Sequence, residues 1–214
     1  ALDANTTASF NTAIGRNALT DNTTGASNTA VGYGSQANTT TGGSNTSVGT
    51  NSLEANTTGE YNVAIGLQAL DSATTPDYNT AVGYTSGRLI STGEKNTLVG
   101  GLTGDKLTVG SSNVGMGYGV LFSDTKGSRS VAVGFSCLTN QNFTSATETY
   151  NTAVGYQAGA NVTTGVENTL IGGRAGDALT DADVNVAIGS GALGVDAKGS
   201  RSVAVGAYTL DAQN

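Results

Sequence analysis

The chain has 214 residues, 32 of them glycine, no histidine, and a formal net charge of −7. That balance disfavours nucleic acid and anionic membrane surfaces, both of which need a basic stripe. Without histidine a Ser-His-Asp triad is excluded, and the single Cys137 excludes a disulfide framework or a zinc pattern.

From the start of the chain one phrase recurs twelve times: Asn or Ser, Thr or Val, a mostly small residue, a branched aliphatic, Gly. It ends at Gly15, Gly32, Gly49, Gly66, Gly83, Gly100, Gly117, Gly134, Gly155, Gly172, Gly189 and Gly206. The interval is constant at 17, except between Gly134 and Gly155, where it is 21. A fixed period near 20 without a helix signal means stacked coils, and register held over twelve copies argues against disorder. The spacing predicts one domain over 1–214: an all-β parallel β-solenoid of about twelve coils. At about 4.8 Å per coil the stack is roughly 55–60 Å long.

Number each coil from its phrase glycine as 0. Position −1 runs from Ile14 and Val31 to Val205, with Met116 the one unbranched residue, and no polar residue enters it. Position −3 holds only Thr or Val. Alternation at −3 and −1 is the period of a strand, and we expect both columns to face the interior. The Ala row at −2 then forms a flat outer face. Position −4 is Asn in ten coils and Ser in two, Ser130 and Ser202. Stacked amides about 4.8 Å apart predict an Asn ladder. The invariant glycine implies a positive φ or a close backbone approach.

After the glycine, position +3 is small and includes Cys137, a core residue in this pattern. Position +4 is Leu in seven coils and Gly in four, with Gln36 the exception. These two positions suggest a second, shorter strand. A polar turn follows, with Gly at +10 in eight coils; Pro76, Glu148 and Ala182 depart from it. The four extra residues after Gly134 fall near Asn140–Ala146, in that turn. Lys126–Gly134 recurs as Lys198–Gly206, the length of four coils further on, which indicates a duplicated four-coil block. Leu98 and Leu170 interrupt the small −2 column, and only those coils have Gly at +1, Gly101 and Gly173. That pairing suggests that −2 and +1 share space, within a chain or across a subunit boundary.

Ser130-Val-Ala-Val-Gly134 and Ser202-Val-Ala-Val-Gly206 resemble the core of the YadA-like head repeats of trimeric autotransporter adhesins. Gly127 and Gly199, seven residues before each phrase glycine, match that pattern too. The Asn-Thr-Ala-Val-Gly-Tyr form also resembles repeats of phage tail fibres. The resemblance spans the chain, although the coil is longer than that family's usual repeat, with the extra length in the turn. It implies a left-handed β-roll, a side-by-side homotrimer, and an extracellular place on a virion tail fibre or a bacterial surface. The expected function is a structural or adhesive fibre segment with flanking fibre segments and a host-cell or surface receptor, glycan or protein. Ala1–Thr6 matches the phase of 209–214, which suggests a piece of a longer fibre.

No enzyme, cofactor or metal site is expected. Asp177, Asp181 and Asp183 lie in a turn, and 100–105 and 172–177 resemble calcium-binding β-roll turns without their consecutive nine-residue beat. The Asn22, Asn38 and Asn56 sequons coincide with the repeating turn. No stretch of about 20 apolar residues predicts membrane insertion. Candidate binding residues are the +1 aromatics: Tyr33, Tyr84, Tyr118, Phe135 and Tyr156. Two rivals are an ice-binding solenoid, which needs outward threonines in a grid, and a polysaccharide-cleaving tailspike, which needs a groove with paired acids.

Overall fold

A computed structural model describes residues 1–195 and 197–211. The last three residues of the end-to-end phase match, 212–214, lie outside them. The main sheet holds twelve three-residue strands: β1 (Thr12–Ile14), β2 (Thr29–Val31), β3 (Thr46–Val48), β4 (Val63–Ile65), β5 (Thr80–Val82), β6 (Thr97–Val99), β7 (Val114–Met116), β9 (Val131–Val133), β11 (Thr152–Val154), β12 (Thr169–Ile171), β13 (Val186–Ile188) and β14 (Val203–Val205). Every neighbouring pair is parallel and in register, Thr12 beside Thr29 and Ile14 beside Val31. The fold is therefore the expected parallel β-solenoid, eleven turns linking twelve strands. Two further strands, β8 (Gly127–Ser128) and β10 (Thr147–Glu148), pair beside the insertion.

The inside and outside of the sheet are the reverse of the expectation. Position −2 is the buried one: Ala30, Ala64, Ala81, Ala132, Ala153 and Ala187 have no accessible surface. The −1 side chains project outward, with Ile14 60%, Met116 45% and Val205 64% exposed. The −3 residues stand beside them, half-buried or exposed. The reason is the thinness of the coil. Opposite the sheet, the interior already holds the +4 leucines, among them Leu19, Leu53, Leu70, Leu121 and Leu138. What remains under the sheet fits a methyl group, so the small column turns inward and the branched columns turn out.

No second strand forms at +3 and +4. That stretch is a run of turns in which +2 and +4 take positive φ, as at Asn17 (60°) and Leu19 (49°). Position −5 does the same in all twelve coils, from Phe10 (63°) to Arg201 (62°). Left-handed backbone is costly for residues with a Cβ. Here hydrogen bonds to the neighbouring coils hold it, such as Leu19 N donating to Ser35 O at 3.1 Å. At position 0 both expected reasons for glycine apply. Gly32 has φ 138°, and a Cβ there would lie 2.4 Å from Gly49 O.

The Asn ladder is present. Asn62 Nδ2 donates to Asn45 Oδ1 at 3.1 Å and to Pro76 O at 2.7 Å. Asn62 N donates to the same Asn45 Oδ1 at 2.9 Å. One buried side chain thus satisfies backbone groups of two coils, which a hydrophobic residue could not do.

Leu98 and Leu170 do share space, but with +4 and not with +1. A Cβ on Gly104 would lie 2.9 Å from Leu98 Cδ1, and one on Gly159 would lie 2.6 Å from Leu170 Cδ1. Ile90, Leu107, Val162 and Leu179 at +7 fill the rest of the space left by Gly87, Gly104, Gly159 and Gly176. Gln36, the polar +4 residue, is buried and donates to Ser47 Oγ (2.8 Å) and Thr29 O (3.0 Å). The extra residues lie where expected. Gln141 and Asn142 still meet Asp124 and Thr125 at an offset of 17, whereas Thr147 pairs with Gly127 at an offset of 20. That register sets Thr147, not Glu148, beside the turn glycine.

Candidate binding surface

The outward face of the main sheet is a continuous strip of Thr, Val, Ile and Met running from β1 to β14. The strands are three residues long, so the strip is roughly 10 Å wide. Its −1 column carries no polar atom on any side chain except the thioether of Met116. An apolar column of this length on the surface is a candidate interaction site.

Two aromatic columns border the strip. Along +1, Tyr33, Tyr84, Tyr118, Phe135 and Tyr156 are each about half exposed. The structure joins three of them. Tyr118 stacks on Phe135 with ring centres 5.8 Å apart, and Phe135 on Tyr156 at 5.5 Å. Tyr84 is separated from them by Gly101, and Tyr33 by Thr50 and Leu67. Arg16 lies over the Tyr33 ring, 5.9 Å from its centre. The second column, −5, is not evident in the sequence. It carries Phe10, Tyr61, Tyr78 and Tyr150, and Tyr61 and Tyr78 stack at 5.0 Å. Its signal is weak because the column also mixes Ser, Lys, Arg, Glu and Val.

The insertion builds a polar notch of about 250 Å³ beside that column, lined by Ser111, Ser112, Ser128, Arg129, Thr147 and Glu148. Arg129 Nη2 lies 2.8 Å from Glu148 Oε1, and its guanidinium sits 5.6 Å from the Tyr150 ring centre. Tyr150 Oη donates to Glu148 Oε2 at 2.6 Å. That hydrogen bond, with Arg129 adding to it, holds the Glu148 carboxyl below the usual range, and it pushes the Tyr150 phenol up.

The acids singled out in the sequence serve separate groups. Asp183 Oδ1 accepts from Val166 N at 2.8 Å, and Asp181 Oδ1 accepts from Thr180 Oγ1 at 3.0 Å. Burial pushes Asp177 up, against the nearby Arg174. Asp105, in the first glycine-rich turn, makes a two-pronged pair with Arg88 at 2.8 and 3.1 Å. Among the described residues no three His, Cys, Asp or Glu side chains converge as a metal site, and no helix is long and apolar enough to cross a membrane. Asn22 and Asn56 are buried, donating to Gly25 O and Gly59 O at 3.0 and 3.1 Å, so those two sequons are turn chemistry; Asn38 is exposed. Cys137 is buried among core residues, and burial pushes its thiol up.

Comparison with protein-family models, curated proteins and solved structures finds no match.

Proposed function

We propose that this chain is a structural or adhesive segment of an extracellular fibre, on a virion or a bacterial surface, built as a side-by-side homotrimer. The observation that carries the reading is the outward −1 column: apolar residues in all twelve coils, on a flat strip that runs the length of the rod. A strip of about 10 by 55 Å offers each copy several hundred Å², and three copies facing one axis cover all three strips. The half-exposed aromatics along both edges of the strip support association of the copies, because tyrosine and phenylalanine supply large contact area at an interface. Flanking fibre segments hold the rod, and its work is mechanical, with no covalent step. Small-angle scattering tests the shape: an elongated particle of three chains supports the reading, and a single-chain particle refutes it.

One observation favours a second reading. The threonines at −3, seven of the twelve, face outward beside the valines, so the column has the orientation that ice binding requires. Thr24, Thr41, Thr58, Thr75 and Thr92 form another exposed row. Five valines break the −3 grid, at 63, 114, 131, 186 and 203, and this favours burial against protein over ordering of water. Thermal hysteresis of a dilute solution decides: its absence removes the ice-binding reading.

A further inference from the structure

Gly173 has no reason to be glycine within its own chain. Its φ is not in the left-handed region, and a Cβ built on it would meet nothing within 4 Å. Gly101, its counterpart in the first copy of the duplicated block, is nearly the same: the closest atom to a Cβ is Tyr118 Cδ2 at 3.4 Å, an ordinary contact. The +1 column elsewhere holds Tyr in four coils and Phe in one, so a side chain there is compatible with the coil. Something outside the chain therefore needs the space. At Gly173 that space is a notch of about 360 Å³, bounded by Tyr156, Arg174, Ser190 and Tyr208.

Geometry names an occupant. The inference rests on the trimer proposed above. When three parallel coils point their flat strips at one axis, the −5 edge of each copy meets the +1 edge of the next. Because the chains are in register, coil meets like coil. The residue opposite Gly173 is then Glu167 of the next copy, and the residue opposite Gly101 is Lys95. Both are long, charged and exposed, and among the described residues neither is in an ion pair within its own chain. The only two glycines of the +1 column thus sit in the coils whose −5 residues are Lys95 and Glu167. Other coils fit the same pairing. Phe10 stands opposite Arg16, and Arg129 opposite Phe135, each a cation beside a ring. No coil sets like charges against each other.

We propose that Gly173 and Gly101 are sockets for side chains of the neighbouring copy. Glu167 enters the Gly173 notch and its carboxylate meets Arg174. Lys95 enters at Gly101, where its ammonium reaches the rings of Tyr84 and Tyr118. These two levels set the vertical register of the three coils, because a slip by one coil would take Glu167 out of the Gly173 notch, to Tyr156 or Ser190, and Lys95 out of the space at Gly101.

The test is a cross-link. In a Cys137→Ser background, Glu167→Cys and Gly173→Cys are combined and the full chain is mildly oxidised. Within one chain the two positions flank a strand of about 10 Å, beyond disulfide reach. The expected product is a covalently closed trimer on a denaturing gel, absent from either single variant. A trimer by light scattering whose two cysteines stay reduced overturns this packing while leaving the trimer intact. A monomer by light scattering overturns both. As a second measurement, Gly173→Tyr is expected to raise the concentration for half-association at least tenfold while leaving the circular dichroism of the chain unchanged. Unchanged association would overturn the proposal.

Discussion

Gln141 stands in for the amide that the ladder lacks at Ser130. Its Nε2 donates to Ser130 Oγ at 2.9 Å and to Asp124 Oδ2 at 2.6 Å, and its Oε1 accepts from Asn151 Nδ2 at 2.9 Å. The replacement comes from position +7 of the same coil, at the start of the lengthened connection. The longest connection and the ladder substitution are thus one local adjustment.

Removing that amide leaves buried donors and acceptors unpaired. Gln141→Ala is expected to cost about 1–3 kcal/mol in denaturant unfolding. Adding Ser130→Asn restores the majority ladder residue and should return part of that loss. A double-mutant cycle measures the coupling. Strict additivity would mean that the two positions do not substitute for each other.

Asp124, fully buried below Gln141, makes the stability depend on pH. Burial pushes its carboxyl above the ordinary value of 3.8; hydrogen bonds from Gln141 and from the Gly127, Lys126 and Phe143 backbones act in the other direction but do not cancel it. The folded chain holds this proton more tightly than the unfolded chain. Its contribution is therefore complete below pH 3.8 and is lost as the pH rises through the raised folded value. Denaturant midpoints measured from pH 3 to 7 should show the wild type falling relative to Asp124→Asn as the pH rises through that window. Parallel profiles would show that Asp124 titrates normally.

Core filling by alternative positions predicts a rescue. Gly159→Leu puts a side chain where a Cβ alone would lie 2.6 Å from Leu170 Cδ1, and it should destabilise by about 1–3 kcal/mol. Leu already sits at this position with φ near 50° in other coils, so the backbone is not the obstacle. Combining it with Leu170→Ala and Val162→Ala recreates the arrangement of Leu70, Ala73 and Ala81 and should recover most of the loss. Failure of the triple variant to exceed the single one would contradict the shared space.

Much of this architecture is legible in the residues themselves. The glycine period places the strands, their parallel register and the Asn ladder, because each depends on one column repeating. The direction in which Ile14, Val31 and their equivalents point is not legible. Alternation reveals that −3 and −1 share a face, not which face. In a thin coil the inward column must be small, so the branched columns turn outward. The left-handed residues are also hidden. Leu19, Tyr61, Arg129 and Val184 have no local preference for positive φ, and only the hydrogen bonds between coils impose it. Of the candidate site, the +1 aromatics are visible one by one. The stack of Tyr118, Phe135 and Tyr156, and the −5 column across the strip, emerge only from the three-dimensional arrangement.

The most direct measurement is the molar mass of the wild-type chain and of Val82→Asp by light scattering across a hundredfold concentration range. Val82 lies in the middle of the outward strip, where a carboxylate meets solvent in a lone chain and dry apolar surface in an assembly. The wild type should hold three chain masses and the variant one, with matching circular dichroism. A wild type that stays at one chain mass, or a variant that remains assembled, would contradict the account.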